Sequence, residues 1–352
     1  MLMTTNILLT DMKHYFLFIL LSAAIATGGC TEELQPQTCG TNGTVPDESE
    51  LTEAVLNLSV NAFVVEAQAE TRASIPSGTP EKETPEEKEI HNIWVFQYDA
   101  ATKELLIKPR YYTITDQAML QDLPVYLKAG VPSVVYVVTN TGYDNWANDG
   151  TDASWQKFKQ LEQLKKQTLP TAFPLRSIDK VSIPMAGASE EVEVTTGITV
   201  TVPVTRMYAK LKVKVEMRKA EMELNNVNVR QIPNICRVET LAGDGKGEPM
   251  EPVPFPDETT FSSIAFAASD LEKNEDKEWA VFYVPENLQG ETQTQGGNKS
   301  DAAPSNALVV DITTEIGGER YLYAAYPGGN SLNNFNIQRN QVYRITVTIT
   351  GE

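Results

Sequence analysis

Lys210-Leu211-Lys212-Val213-Lys214-Val215-Glu216-Met217 alternates without a break between charged and apolar side chains. Successive side chains of an extended chain point to opposite faces. The stretch therefore predicts a strand with Leu211, Val213, Val215 and Met217 inside and a solvated face of lysines and glutamate outside. Working outward, the signal recurs on both sides. Residues 192–194 and 198–202 alternate in the same way, and residues 93–98, 124–127 and 134–138 are short runs of β-branched and aromatic residues. Near the start, residues 56–64 place Leu56, Leu58, Val60, Ala62 and Val64 on one face, within a first strand set at 54–66. Beyond 217, residues 280–284, 308–312 and 320–324 continue the pattern, and Gly317-Gly318 fits a two-residue hairpin turn. The last run alternates again, with Tyr343, Ile345, Val347 and Ile349 on one face.

One helix interrupts the strands. Asp152 is placed to cap it, Trp155, Phe158, Leu161 and Leu164 follow at three-residue steps, and Pro170 closes it. Many short strands and little helix predict a mainly β chain. Its simplest arrangement is two antiparallel β-sandwich domains in series, 51–202 with the short helix and 203–352, with the boundary near Pro203.

Residues 1–29 read as an export signal. Lys13 precedes an apolar run at 15–21 that is short for a membrane span, and small residues lead to Gly28-Gly29-Cys30. The glycines before Cys30 resemble a lipobox, although Thr27 stands where leucine is commoner, so Cys30 is the candidate lipidation site. Residues 30–50 are too poor in large apolar side chains to pack a core and read as a flexible tether. After the first strand comes a loop crowded with proline and glutamate, in which a protease could reach Arg72.

Composition excludes several function classes. The 352 residues carry a formal net charge of −18, which opposes binding to nucleic acid. With only His14 and His91 in the chain, no histidine metal cluster can form, and His91 alone is a weak basis for catalysis. Cys39 and Cys236 have no metal-site spacing, and Cys236 reads as a buried apolar residue. Asp144, Asn145, Asn148, Asp149 and Asp152 crowd one loop but do not match a calcium-binding register. Neither a metal, nor a cofactor, nor an enzymatic activity is predicted.

The order of several motifs resembles the fimbrillin family of type V pili. The likeness is carried by Thr71-Arg72-Ala73, Ile90-His91-Asn92-Ile93-Trp94-Val95-Phe96, Ile183-Pro184-Met185-Ala186-Gly187, Arg206-Met207-Tyr208-Ala209-Lys210-Leu211, Phe282-Tyr283-Val284-Pro285-Glu286-Asn287 and Asn340-Gln341-Val342-Tyr343-Arg344-Ile345. The resemblance implies two tandem transthyretin-like sandwich domains. It implies a structural subunit of a cell-surface fimbria that supports adhesion, exported as an outer-membrane lipoprotein and cut between Arg72 and Ala73 by an arginine-specific protease. The first strand, with Leu56, Leu58, Val60, Ala62 and Val64, would then be lost and replaced by a strand of another fimbrial subunit. Removal of a strand exposes unpaired backbone and an apolar slot, and the last strand, with Tyr343, Ile345, Val347 and Ile349, is the candidate donor. Two alternatives stay open: a lipid-retained anchor subunit of the same pilus, and a monomeric surface lipoprotein that binds glycans through aromatics such as Trp146.

Overall fold

The computed structural model describes residues 50–65, 83–142, 144–147, 151–171, 176–177, 182–239, 250–271, 273, 278–293 and 298–350. The chain is mainly β. Strand β1 (Leu51–Val60) is followed by β2 (Val64–Val65), β3 (Asn92–Asp99), β4 (Arg110–Thr113), β5 (Leu123–Lys128) and β6 (Pro132–Thr139). Helices α1 (Asp152–Gln156) and α2 (Leu161–Lys165) lead to β7 (Thr168–Pro170), β8 (Met185–Ala188), β9 (Val192–Glu193) and β10 (Thr199–Arg206). Next come β11 (Tyr208–Met217), β12 (Glu223–Pro233), β13 (Ile235–Arg237), β14 (Phe261–Ala267) and helix α3 (Ala268–Leu271). Strands β15 (Ala280–Pro285), β16 (Val309–Ile316), β17 (Glu319–Ala325) and β18 (Gln341–Ile349) complete the order.

The first sheet runs β4-β3-β6-β8-β10-β1-β5, with β9 also paired to β6. Strand β10 pairs with β1 as far as Val204 and with β8 at Thr205 and Arg206, so the sheet turns over on this strand. Its two halves enclose one core. Ala54, Leu56 and Leu58 of β1, Val125 and Leu127 of β5 and Val200, Val202 and Val204 of β10 pack with Ile93, Val95, Val135 and Val137 of β3 and β6. Each such leucine, isoleucine or valine, once buried, stabilises the fold by roughly 1.5–3 kcal/mol before entropy is counted. The opposite faces of β3 and β6 are buried too: Trp94, Phe96, Tyr98, Tyr136 and Val138 join Phe158, Leu161, Leu164, Val281 and Tyr283 in another core. Burial on both faces explains why these two strands read as continuous apolar runs.

A Cβ on Gly187 of β8 would overlap the carbonyl oxygen of Pro203 in β10. Gly187→Ala therefore forces the two strands apart, at a cost of about 1–3 kcal/mol. Thermal unfolding of the full chain checks this, and an unchanged midpoint would refute the close approach.

Strands β7 and β13 form a two-stranded sheet of their own, and the rest form two facing sheets, β15-β11-β18-β2 and β14-β12-β16-β17. Leu211, Val213, Val227, Val229, Phe282, Val310 and Tyr343 lie between them. The hairpin β16–β17 turns on Gly317 and Gly318, at φ +58° and +88°, as the sequence predicts. Side chains other than hydrogen rarely tolerate that backbone region.

The structure departs from expectation in several places. Strand β10 continues through Pro203 to Arg206, and the change of sheet falls at Met207. The sheets are not wholly antiparallel: β1–β10, β11–β18 and β18–β2 run parallel, each joining segments far apart in sequence that no hairpin links. The single helix is two short ones. A step of three residues falls short of the turn of about 3.6 and cannot hold one face of a long α-helix. Backbone bonds from Leu105 N to Lys159 O (2.9 Å) and from Leu161 N to Lys103 O (3.0 Å) divert the chain between the helices, while Pro170 ends a strand paired with β13. Finally, the charged face of β11 is not all solvated, since Lys210 is only 5% exposed.

Candidate assembly interface

Strand β1 is not at an edge. It lies between β10, which runs parallel to it with Leu56 opposite Val200, and β5, which runs antiparallel with Leu56 opposite Leu123. Strand β5 ends the sheet, with β1 as its strand neighbour. Taking β1 out would leave one strand-wide gap, flanked by unpaired backbone on both sides and floored by the core. Of the residues read as one inward face, Leu56 and Leu58 are buried and Val60 packs partly on the same core. The strand ends at Val60, leaving Ala62 exposed and Val64 in β2. The alternation continues in sequence, but the chain changes sheets: Asn61 N still donates to Val204 O (2.9 Å), and Val64 and Val65 then pair with Gln341 and Val342 of β18.

The crossing at Asn61–Val64 is held by a buried charged cluster. Arg206, fully buried at the end of β10, donates from Nη1 to Asn61 O (2.7 Å) and to Asn340 Oδ1 (3.1 Å), and from Nε to Glu87 O (2.8 Å). Its Nη2 lies 2.8 Å from Glu83 Oε1. Asn340 Nδ2 donates to Ala62 O (2.8 Å), and Phe63 N donates to Glu83 Oε1 (2.9 Å). Behind them, Glu87 Oε1 takes Lys210 Nζ and Tyr283 OH, each at 2.6 Å, and Thr84 N donates to Glu87 Oε2 (2.9 Å). The Phe63 ring, itself fully buried, lies 4.2 Å from the Arg206 guanidinium carbon. Asn340, at φ +57°, adopts the left-handed conformation that aims its side chain back at this crossing.

Opposing effects set the ionisation of the cluster. Burial would raise the Glu83 carboxyl, but Lys88, the Phe63 amide and Arg206 outweigh it and hold it below the ordinary value of 4.5. Burial lowers the Arg206 guanidinium against the opposing pull of Glu83 and Glu87, and burial with the Glu87 charge raises the Tyr283 hydroxyl. A carboxylate whose folded pKa is depressed contributes stability above its ordinary value and loses it as pH falls through the folded value. Acidification below pH 4.5 should therefore loosen the crossing, seen as falling hydrogen-exchange protection of the Phe63 amide. In Glu83→Gln that pH dependence should vanish, and its persistence would refute the role given to Glu83.

Arg72 and Ala73 lie outside the described residues, as does Cys30. The residues flanking 66–82 nonetheless meet, through the Phe63–Glu83 hydrogen bond. The candidate donor strand, β18, is a core strand of its own sheet. It runs parallel to β11 from Lys210 opposite Val342 to Met217 opposite Ile349, with Tyr343 and Ile349 buried and Ile345 and Val347 packed partly on the core. Its other edge pairs, among the described residues, only with β2.

The other candidates are dispersed. His91 is half exposed with Nε2 3.6 Å from Glu89. Asp144 and Asn145 are exposed, Asn148 and Asp149 lie outside the described residues, and Asp152 opens α1. Among the described residues no group of three His, Cys, Asp or Glu side chains gathers as a metal would need. Trp146 is partly buried and packed edge-on against Phe158, with centroids 5.1 Å apart. Cys236 is buried, its thiol pushed up to about 12 first of all by burial.

A domain of unknown function (DUF4906) matches residues 282–347, from within β15 to within β18. No curated protein matches the chain in sequence. Among solved structures, a candidate cell adhesion protein from Bacteroides eggerthii is 16% identical, with 88% of this chain and 89% of that one covered and a TM-score of 0.48. The tip fimbrial protein Mfa3 from Porphyromonas gingivalis, C-terminally truncated, is 14% identical, with 86% and 96% covered and a TM-score of 0.49. Its structural neighbours are fimbrial and adhesion proteins. A fimbrial assembly protein from Parabacteroides distasonis is a further one, 16% identical over 85% and 91% of the two chains with a TM-score of 0.45.

The cluster at the crossing escaped the sequence reading. Glu83 and Glu87 sat in a stretch read as an exposed loop, and Lys210 on a face read as solvated. One signal was present: Phe63 puts a large aromatic on the face opposite Leu56 and Leu58.

Proposed function

We propose that the chain is a structural subunit of a bacterial cell-surface fimbria of the type V kind, supports adhesion, and catalyses nothing. It is exported as a lipoprotein through Cys30, cut after Arg72 by an arginine-specific protease, and assembled when a strand of another subunit takes the place of β1. The observation that carries this reading is the position of β1: an interior strand that belongs to the chain's start, flanked by β10 and β5 and followed by the segment containing Arg72. Strand exchange at such a place forms as many backbone bonds as it breaks, so assembly is driven by whichever strand fits the slot better. For β18 to be the donor, it would have to leave β11 and expose Tyr343 and Ile349.

A second reading is an anchor subunit of the same pilus, which keeps its lipid and β1; the buried cluster that secures the exit of β1 favours it. The N-terminal residue of the protein extracted from the cell surface tests both. Ala73 is expected for a polymerising subunit and acylated Cys30 for an anchor. A start at neither position would overturn both readings.

A further inference from the structure

We infer that the cluster of Arg206, Lys210, Glu83 and Asn340 is a register socket, which holds any extended segment by its main chain and selects one aromatic side chain. Its hydrogen bonds to the crossing fall on backbone: Asn61 O, Ala62 O and Phe63 N are taken by Arg206, Asn340 and Glu83, and Val64 N donates to Asn340 O (3.1 Å). Such bonds do not distinguish one sequence from another. What the site reads is the ring of Phe63, fully buried, 4.2 Å from the Arg206 guanidinium and 5.8 Å from Lys210 Nζ. A desolvated cation over an aromatic face prefers that ring to an aliphatic side chain of equal size. Because Leu56 and Leu58 lie in the core while Phe63 lies in the socket, the spacing of these three residues fixes the register of the strand.

The inference rests on the proposal that β1 is exchanged, and it specifies the incoming strand. That strand carries two inward apolar residues and an aromatic at the spacing of Leu56, Leu58 and Phe63. Strand β18 does not have it. At that spacing Tyr343 is preceded by Asn336 and Gln338, and in the opposite chain direction it is followed by Thr348 and Thr350. The occupant is therefore not β18 of a second copy but a strand with the spacing of Leu56, Leu58 and Phe63.

The test uses the full chain, nicked within 66–82 by an arginine-specific protease and with both pieces kept together. Fluorescein-labelled peptides are offered in excess and exchange is read by polarisation. The peptide of residues 51–65 should enter, and its Phe63→Ala form should bind at least about tenfold more weakly, the scale of a desolvated cation–π contact. Phe63→Tyr should keep most of the affinity, and residues 338–350 should bind no better than the alanine peptide. In Arg206→Met the preference for phenylalanine should shrink. The peptide variants alone suffice if that protein does not fold. Equal binding by the Phe63→Ala peptide, or by residues 338–350, overturns the socket while leaving strand exchange intact. Failure of every peptide to enter overturns strand exchange and the socket with it.

Discussion

Arg206→Met should lower the stability of the full chain by about 3–5 kcal/mol, the usual effect of removing one partner from a buried ion pair. The side-chain volume is nearly kept, so the loss is electrostatic. Glu83 and Glu87 keep Lys88 and Lys210, but the carbonyls of Asn61 and Glu87 and the amide oxygen of Asn340 lose their donor inside the protein. Unsatisfied buried acceptors retain their full desolvation penalty. Arg206→Lys should recover only part, because an ammonium cannot span the three directions that Nε, Nη1 and Nη2 serve. Urea unfolding measures both, and a loss below about 1 kcal/mol for the methionine variant would place the cluster among weak surface pairs.

Leu56→Asp should act more locally and at least as strongly. Leu56 is fully buried between Leu123 and Val200, and the variant trades its packing, about 2–5 kcal/mol, for an unpaired carboxyl in an apolar core. The expected result is release of β1: hydrogen-exchange protection falls in β1, β5 and the first part of β10. It persists in β12 and β16, whose core does not include Leu56. Ser59→Asp, on the exposed face of the same strand, is the control and should change little. Uniform loss of protection throughout would mean that β1 cannot leave without unfolding the whole.

Most strands were legible because alternation or β-branched runs require only local sequence. The strict pattern at 210–217 became β11, and the glycine pair at 317–318 became the hairpin turn. The end of β1 was not legible. Residues 56–62 alternate past the end of the strand, and the capture of Asn61 by Arg206, far along the chain, marks its stop at Val60. The same holds for Lys210. Period-two charge ordinarily marks a wet face, and here a carboxylate from the Glu83–Lys88 stretch folds over that face and buries one lysine of the series. The helix failed for a nearer reason, as the backbone pairing of 103–105 with 159–161 divides a run whose three-residue step could not stay on one side. Parallel pairing of β1 with β10 likewise depends on long crossovers that no short window contains.

Native mass spectrometry of the full chain after cleavage at Arg72 tests the detachable strand most directly. If β1 is exchangeable, the N-terminal piece dissociates as the chains accept strands from added fimbrial subunits or from excess 51–65 peptide, with one strand bound per chain. Should the piece remain bound under every such challenge, with no exchange and no association, β1 is a permanent part of the sheet and assembly through its replacement is wrong.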